Sequence, residues 1–115
     1  MGLDALFMTE VIEVMENFLA KDRPPKEMRD ELDITYEIEG QSIFVFEVRP
    51  RWNQPDKYQK TPIIRTTWQK SKKRWKIYWM PSDLRWHGYE PKMYIKNLNE
   101  FIDVLRKDEH GAFWG

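Results

Sequence analysis

The sequence predicts an α+β domain: a four-stranded antiparallel sheet with an N-terminal and a C-terminal helix packed on one face, in the order α-β-β-β-β-α. Three observations predict it. Apolar residues recur at three- and four-residue spacing near both ends of the chain, and at two-residue spacing between them. Turn residues divide the alternating runs in pairs, as hairpins require. The chain has 115 residues, 15% of them aromatic, which is enough for one core and too little for two, so residues 1–115 are read as a single domain.

The first helix is expected over residues 4–21. Phe7, Val11, Met15, Phe18 and Leu19, with Ile12 beside them, form its apolar stripe, and Glu10, Glu13 and Glu16 the opposite face. Met8-Thr9-Glu10 is an alternative natural start, which would make residues 1–7 an upstream extension, and residues 1–8 are read as a candidate flexible stretch. The helix should stop before Arg23-Pro24-Pro25, because proline lacks a donor and restricts the residue ahead of it.

A hairpin follows. Leu32, Ile34, Tyr36 and Ile38 alternate with Asp33, Thr35, Glu37 and Glu39, and Gly40 supplies the turn. Residues 41–49 form the partner strand, with Phe44, Phe46 and Val48 on one face and Ile43, Val45, Glu47 and Arg49 on the other. Residues 51–61, polar and broken by Pro55, read as a long loop.

A second hairpin is expected over 62–80. Ile64, Thr66 and Trp68 share one face, while Ile63, Arg65, Thr67 and Gln69 share the other. The turn is Lys70-Ser71-Lys72-Lys73-Arg74. On the return strand, Trp75, Ile77 and Trp79 alternate with Lys76 and Tyr78. Residues 81–96 read as irregular. Asn97 with Glu100 three residues on has capping-box spacing, and Leu98, Phe101, Ile102 and Leu105 give the last helix its apolar face. Gly111 marks its stop, and the tail to Gly115 is expected to pack back onto the domain.

Charge is segregated although the formal net charge is zero. Residues 1–48 carry 4 basic and 12 acidic side chains, residues 49–96 carry 13 and 3, and residues 97–115 carry 2 and 4. Five of the six tryptophans, Trp52, Trp68, Trp75, Trp79 and Trp86, lie in the basic block. Cations interleaved with large rings suit an anionic partner with flat groups, such as single-stranded nucleic acid. Zero net charge argues against a nonspecific coat protein.

With no cysteine, disulfides, thiolate catalysis and cysteine metal sites are excluded. No cofactor is implied. No apolar run approaches the roughly 20 residues that span a bilayer. The first residues lack a signal-type pattern, and Gly2 is not followed by Ser or Thr at position 6, as myristoylation requires. A cytoplasmic protein with no membrane partner is the expectation.

Several stretches resemble the bacterial proteins grouped as domain of unknown function 3024. They are Arg23-Pro24-Pro25, Ile38-Glu39-Gly40-Gln41-Ser42, Phe46-Glu47-Val48-Arg49-Pro50-Arg51-Trp52, Trp75-Lys76-Ile77-Tyr78-Trp79 and Asp83-Leu84-Arg85-Trp86-His87-Gly88-Tyr89. The ending Asp108 to Gly115 resembles the family's Gly-x-x-aromatic-Gly tail. The resemblance runs in order from about residue 9 to the end. It implies a small, free-standing bacterial domain and assigns no activity.

Four constellations carry candidate chemistry. The turn cations Lys70, Lys72, Lys73 and Arg74 suit phosphates, or else form a solvated tip that discourages edge pairing. Arg49-Pro50-Arg51-Trp52 offers two guanidinium groups and an indole, unless Arg49 pairs with Glu47 or Glu37. The alternation suggests that Arg49 faces the wet side, which would set it with Arg65, Lys76 and Tyr78 in a row resembling a single-strand platform. His87 with Asp83 suggests acid–base work, set against a hydrogen-bonded structural histidine. Asp33 with Glu47 suggests a metal-dependent nuclease, although arginine stands where such sites use lysine.

Among the tryptophans, Trp68, Trp75 and Trp79 fit the core, and Trp52 and Trp86 the site. The reading favoured is a non-catalytic nucleic-acid-binding module using Arg49, Arg51, Trp52, Arg65, Lys70, Lys72, Lys73, Arg74, Lys76 and Tyr78. A protein-interaction or homodimerisation module is the first alternative and the nuclease the second.

Overall fold

The structure is a computed structural model and describes residues 3–114. Met1 and Gly2 of the upstream stretch, and Gly115 of the tail, lie outside the described residues. Helix α1 spans Ala5–Asp22. Asp4 caps it, its carboxylate accepting the Phe7 N–H at 2.9 Å. The helix therefore takes in Ala5–Met8, and Phe7 packs its ring on Trp68 and Trp75 at 4.9 and 5.6 Å. It ends at Arg23, where the two prolines begin.

The strands are β1 (Asp33–Glu39), β2 (Ser42–Arg51), β3 (Gln54–Gln69), β4 (Arg74–Trp79), β5 (His87–Gly88) and β6 (Tyr94–Ile95). The last element is helix α2 (Leu98–Lys107). All pairings are antiparallel, in the order β1-β2-β3-β4-β5, with β6 also on β4. The α+β class and the N- and C-terminal helices follow the sequence reading, but among the described residues the sheet has six strands rather than four.

The additional strands come from residues 81–96, read as irregular. β5 and β6 lie in turn along the free edge of β4, pairing Tyr78 with Gly88 and Trp75 with Ile95. Two-residue strands are too short to show a period. Their burial comes from Tyr89 and Ile95, which enter the core.

A second difference concerns residues 51–61. They are not a loop, because β2 and β3 continue as a ribbon to Trp52-Asn53 at its tip, pairing Arg49 with Gln59 and Arg51 with Gln54. The prolines that suggested a break are absorbed at irregularities. One register shift falls between Pro50 and Arg51, and another beside Pro62, which leaves Ile63 as an extra residue. β1 ends opposite Val48 and β4 ends opposite Ile64. Beyond those points the ribbon has no third strand, and residues 51–60 are exposed throughout.

The third difference is the face of β2. Ile43 and Val45 are fully buried, so their side is the one the helices cover. Register explains it: Ile38 and Tyr36 of β1 lie opposite Ile43 and Val45, joining the apolar sets of both strands. Gly40 makes the tight connection at φ 59°, a conformation glycine adopts freely. Glu47 and Arg49 therefore take the helix-side parity, and Phe44 and Phe46 the outer one.

One core cluster joins Val11, Met15 and Phe18 of α1 with Phe101, Ile102 and Leu105 of α2 over Ile43, Val45, Ile64, Trp75 and Ile77. Both helices thus sit on one face. Arg106 of α2 donates to Asp22 of α1 at 2.6 Å, and the Tyr36 hydroxyl donates to Glu16 at 2.6 Å. Burial, reinforced by Glu16, pushes the Tyr36 phenol up to about 12. The capping box of α2 forms as its spacing predicts. The tail folds back: Asp108 accepts the Phe113 and Trp114 N–H groups, and Phe113 enters the core. Among the described residues, no helix is long and apolar enough to cross a membrane.

Candidate nucleic-acid interface

The helices cover one face of the sheet and leave the other free. Alternation places Phe44 and Phe46 of β2, Lys60 and Arg65 of β3, and Lys76 and Tyr78 of β4 on that outer face. Trp86, just ahead of β5, folds over the same face and meets the Phe44 ring at 6.0 Å. These rings are half-buried rather than sealed.

The cations lie on the rings. The Arg65 guanidinium sits 4.0 Å from the Tyr78 ring centre, 5.3 Å from that of Trp86 and 6.0 Å from that of Phe44. Lys60 stands 4.7 Å over Phe46, Lys76 5.0 Å over Tyr78 and Arg74 3.6 Å over Tyr94. Each falls within the reach of a cation–π attraction. Among the described residues, Arg65 Nε is the buried side-chain atom left without a hydrogen-bond partner. A guanidinium set among three rings forms, with them, a surface on which a further planar or anionic group can be received.

The ten residues named from the sequence separate into three places along β3. Arg65, Lys76 and Tyr78 come together on the outer face, and Arg74 adjoins them through Tyr94. Lys70, Lys72 and Lys73 form the exposed turn at one end of β3, where Lys73 adopts φ 51°. Arg49, Arg51 and Trp52 lie on the projecting ribbon at the other end. Arg49 does not join the row: it pairs with Glu47, the alternative weighed from sequence. Lys60 pairs with Glu37, so the β1 border of the face is acidic and partly neutralises it.

The sequence reading missed Phe44, Phe46, Lys60 and Tyr94. All four are partners of a cation or ring on the outer face: the register of β1 on β2 turns Phe44 and Phe46 outward, β3 carries Lys60 beside them, and β6 on β4 brings in Tyr94.

The two catalytic constellations fare differently. Asp33 and Glu47 lie on adjacent strands, but Asp33 is opposite Val48 and Ile34 opposite Glu47, so the two carboxylates take opposite faces. Asp33 is gripped by Arg23 through two 2.8 Å hydrogen bonds, which hold its carboxyl below the usual value. This geometry cannot place both carboxylates on one metal ion. Among the described residues, no group of three or more His, Asp or Glu side chains is close enough to hold a metal.

Asp83 and His87 do meet, at 2.7 Å, beside an open groove of about 600 Å³ that His110 also lines. Asp83 also accepts the Arg85 N–H, and that bond together with the one to His87 holds its carboxyl below the usual carboxylate value. Both side chains are nearly half exposed, and their contact ties together the two ends of the 83–87 segment.

Among the described residues, the architecture is thus two helices on one face of a sheet whose other face carries half-buried rings and cations. The chain belongs to the family described as Domain of unknown function (DUF3024), whose model matches residues 4–115. Comparison with curated proteins and with solved structures finds no match.

Proposed function

We infer that the outer sheet face binds single-stranded nucleic acid without catalysing a reaction. The observation that carries this reading is the clasp of Arg65 between Tyr78, Trp86 and Phe44, at 4.0 to 6.0 Å, on the face the helices leave free. Unpaired bases stack on aromatic rings and on guanidinium planes alike. Lys76, Arg74 and the turn lysines beyond them are placed to follow a phosphate backbone leaving the clasp. A duplex would present its bases edge-on in a groove, whereas a broad half-exposed platform suits splayed bases.

The test is binding of a fluorescein-labelled single-stranded oligonucleotide, followed by anisotropy across a salt series. Binding should weaken steadily with salt, by the release of roughly three to four counterions. Arg65→Ala should cost about tenfold or more in affinity, on the scale of one stacked base. Absence of binding at low salt, or full affinity in Arg65→Ala, would remove this reading.

A further inference from the structure

The ribbon at the other end of the molecule has a different character. Trp52 at its tip is 93% exposed, although tryptophan carries one of the largest apolar surfaces of any side chain. The surrounding charges do not make the ribbon a strong phosphate binder. Arg49 is paired with Glu47 and Lys60 with Glu37, and Asp56 opposes the remaining Arg51 and Lys57. A two-stranded ribbon is marginal in isolation, and one tipped with a bare indole needs a surface to rest on.

Such a surface exists at the far end of the same fold. Between α1 and the start of α2 lies an open cleft of about 400 Å³. Phe7, Val14, Trp68 and Trp75 give it apolar walls, and Glu10 and Glu13 give it an acidic rim, with Lys96 the one cation among its lining residues. Its volume is in the range that encloses a ring system. An indole escorted by Arg51 matches an aromatic cleft edged by carboxylates in shape and in charge.

The chain cannot fill this cleft itself. Trp68 lies near one end of β3 and the ribbon tip beyond the other, and the molecule is 45 Å long. We propose that the ribbon is a dimerisation arm, whose Trp52 seats in the α1–α2 cleft of a second copy of this chain. Two copies side by side and antiparallel place each tip beside the partner's cleft. Both contacts then form together about a two-fold axis and close the assembly. The outer sheet face takes no part in this contact, so the inference does not depend on the nucleic-acid reading.

The test is the solution mass of the full chain by sedimentation equilibrium, over a concentration series and without nucleic acid. A dimer is expected. Trp52→Ala should raise its dissociation constant about 30-fold, as loss of a central aromatic anchor does. Its thermal unfolding with the monomer populated should be unchanged, because the residue is exposed. The pair Glu10→Lys with Glu13→Lys should also weaken the dimer, and adding Arg51→Glu should restore part of it. A monomeric wild type overturns the proposal. So does a mass that grows without limit, which signifies an open filament, or a Trp52→Ala dimer as tight as the wild type. A monomer in which Trp52→Ala costs only oligonucleotide affinity would reassign the arm to nucleic acid.

Discussion

The outer sheet face and the projecting ribbon have the same composition, arginine and lysine beside tryptophan and tyrosine, and opposite physical states. On the face, the cations lie over rings, and Phe44, Phe46 and Tyr78 stand on strands with a neighbour on either side. On the ribbon, Trp52 stands clear of the fold, and the nearby cation Arg49 is spent on Glu47. Composition alone therefore assigns both to one site, whereas sheet support separates a pre-formed platform from an arm that reaches outward. A platform can receive a flexible ligand with little ordering cost, and an arm is completed by what it docks onto.

Tryptophan substitutions break this comparison most sharply. Trp75→Ala, beneath the platform and 1% exposed, should cost about 3–5 kcal/mol of stability by chemical denaturation. The same change at Trp52 should stay within about 0.5 kcal/mol when the protein is monomeric. Equal losses at the two positions would contradict the separation.

Ligand affinity gives the next largest effect. Tyr78→Ala should weaken oligonucleotide binding by about tenfold, and Arg51→Ala by less than about twofold. The reverse order, read by anisotropy, would move the site to the ribbon.

Titration of the helix-to-sheet contact should then show that the platform's support is independent of its ligand. Folding raises the Tyr36 phenol to about 12, so its contribution is complete below the unfolded value near 10 and is lost as pH rises through about 12. Tyr36→Phe should remove that alkaline loss from the melting temperature profile. Asp33 has the opposite sign, because Arg23 depresses its carboxyl. Its contribution is present above the ordinary carboxylate value and is lost as pH falls through the depressed one. Asp33→Asn should flatten the acid limb below about pH 4. The smallest effect belongs to the α2 cap. Asn97→Ala should cost about 1 kcal/mol and leave both regions intact.

Much of this fold can be read along the chain, and the exceptions share a cause. α2 announces itself through Asn97 and Glu100, and β4 through the strict alternation of Trp75, Ile77 and Trp79 with polar residues. β2 does not, because Ile43, Phe44, Val45 and Phe46 are all apolar and either parity could face the helices. Pairing with β1 decides it, and that choice moves Arg49 off the platform and brings Phe44 and Phe46 onto it. The ribbon is concealed by Pro50 and Pro55, which are ordinary signs of a loop unless a bulge takes them up. β5 and β6 are set by the free edge of β4, a tertiary fact with no local signature. Arg65, Lys76 and Tyr78 were identifiable as a group because they sit on strands whose faces are unambiguous.

The most direct test follows the six tryptophan indole N–H signals by heteronuclear NMR, during titration with a single-stranded oligonucleotide. The account predicts that the Trp86 signal shifts on ligand addition while that of Trp52 holds still and responds to protein dilution instead. A Trp52 signal that follows the oligonucleotide while Trp86 remains fixed would contradict it.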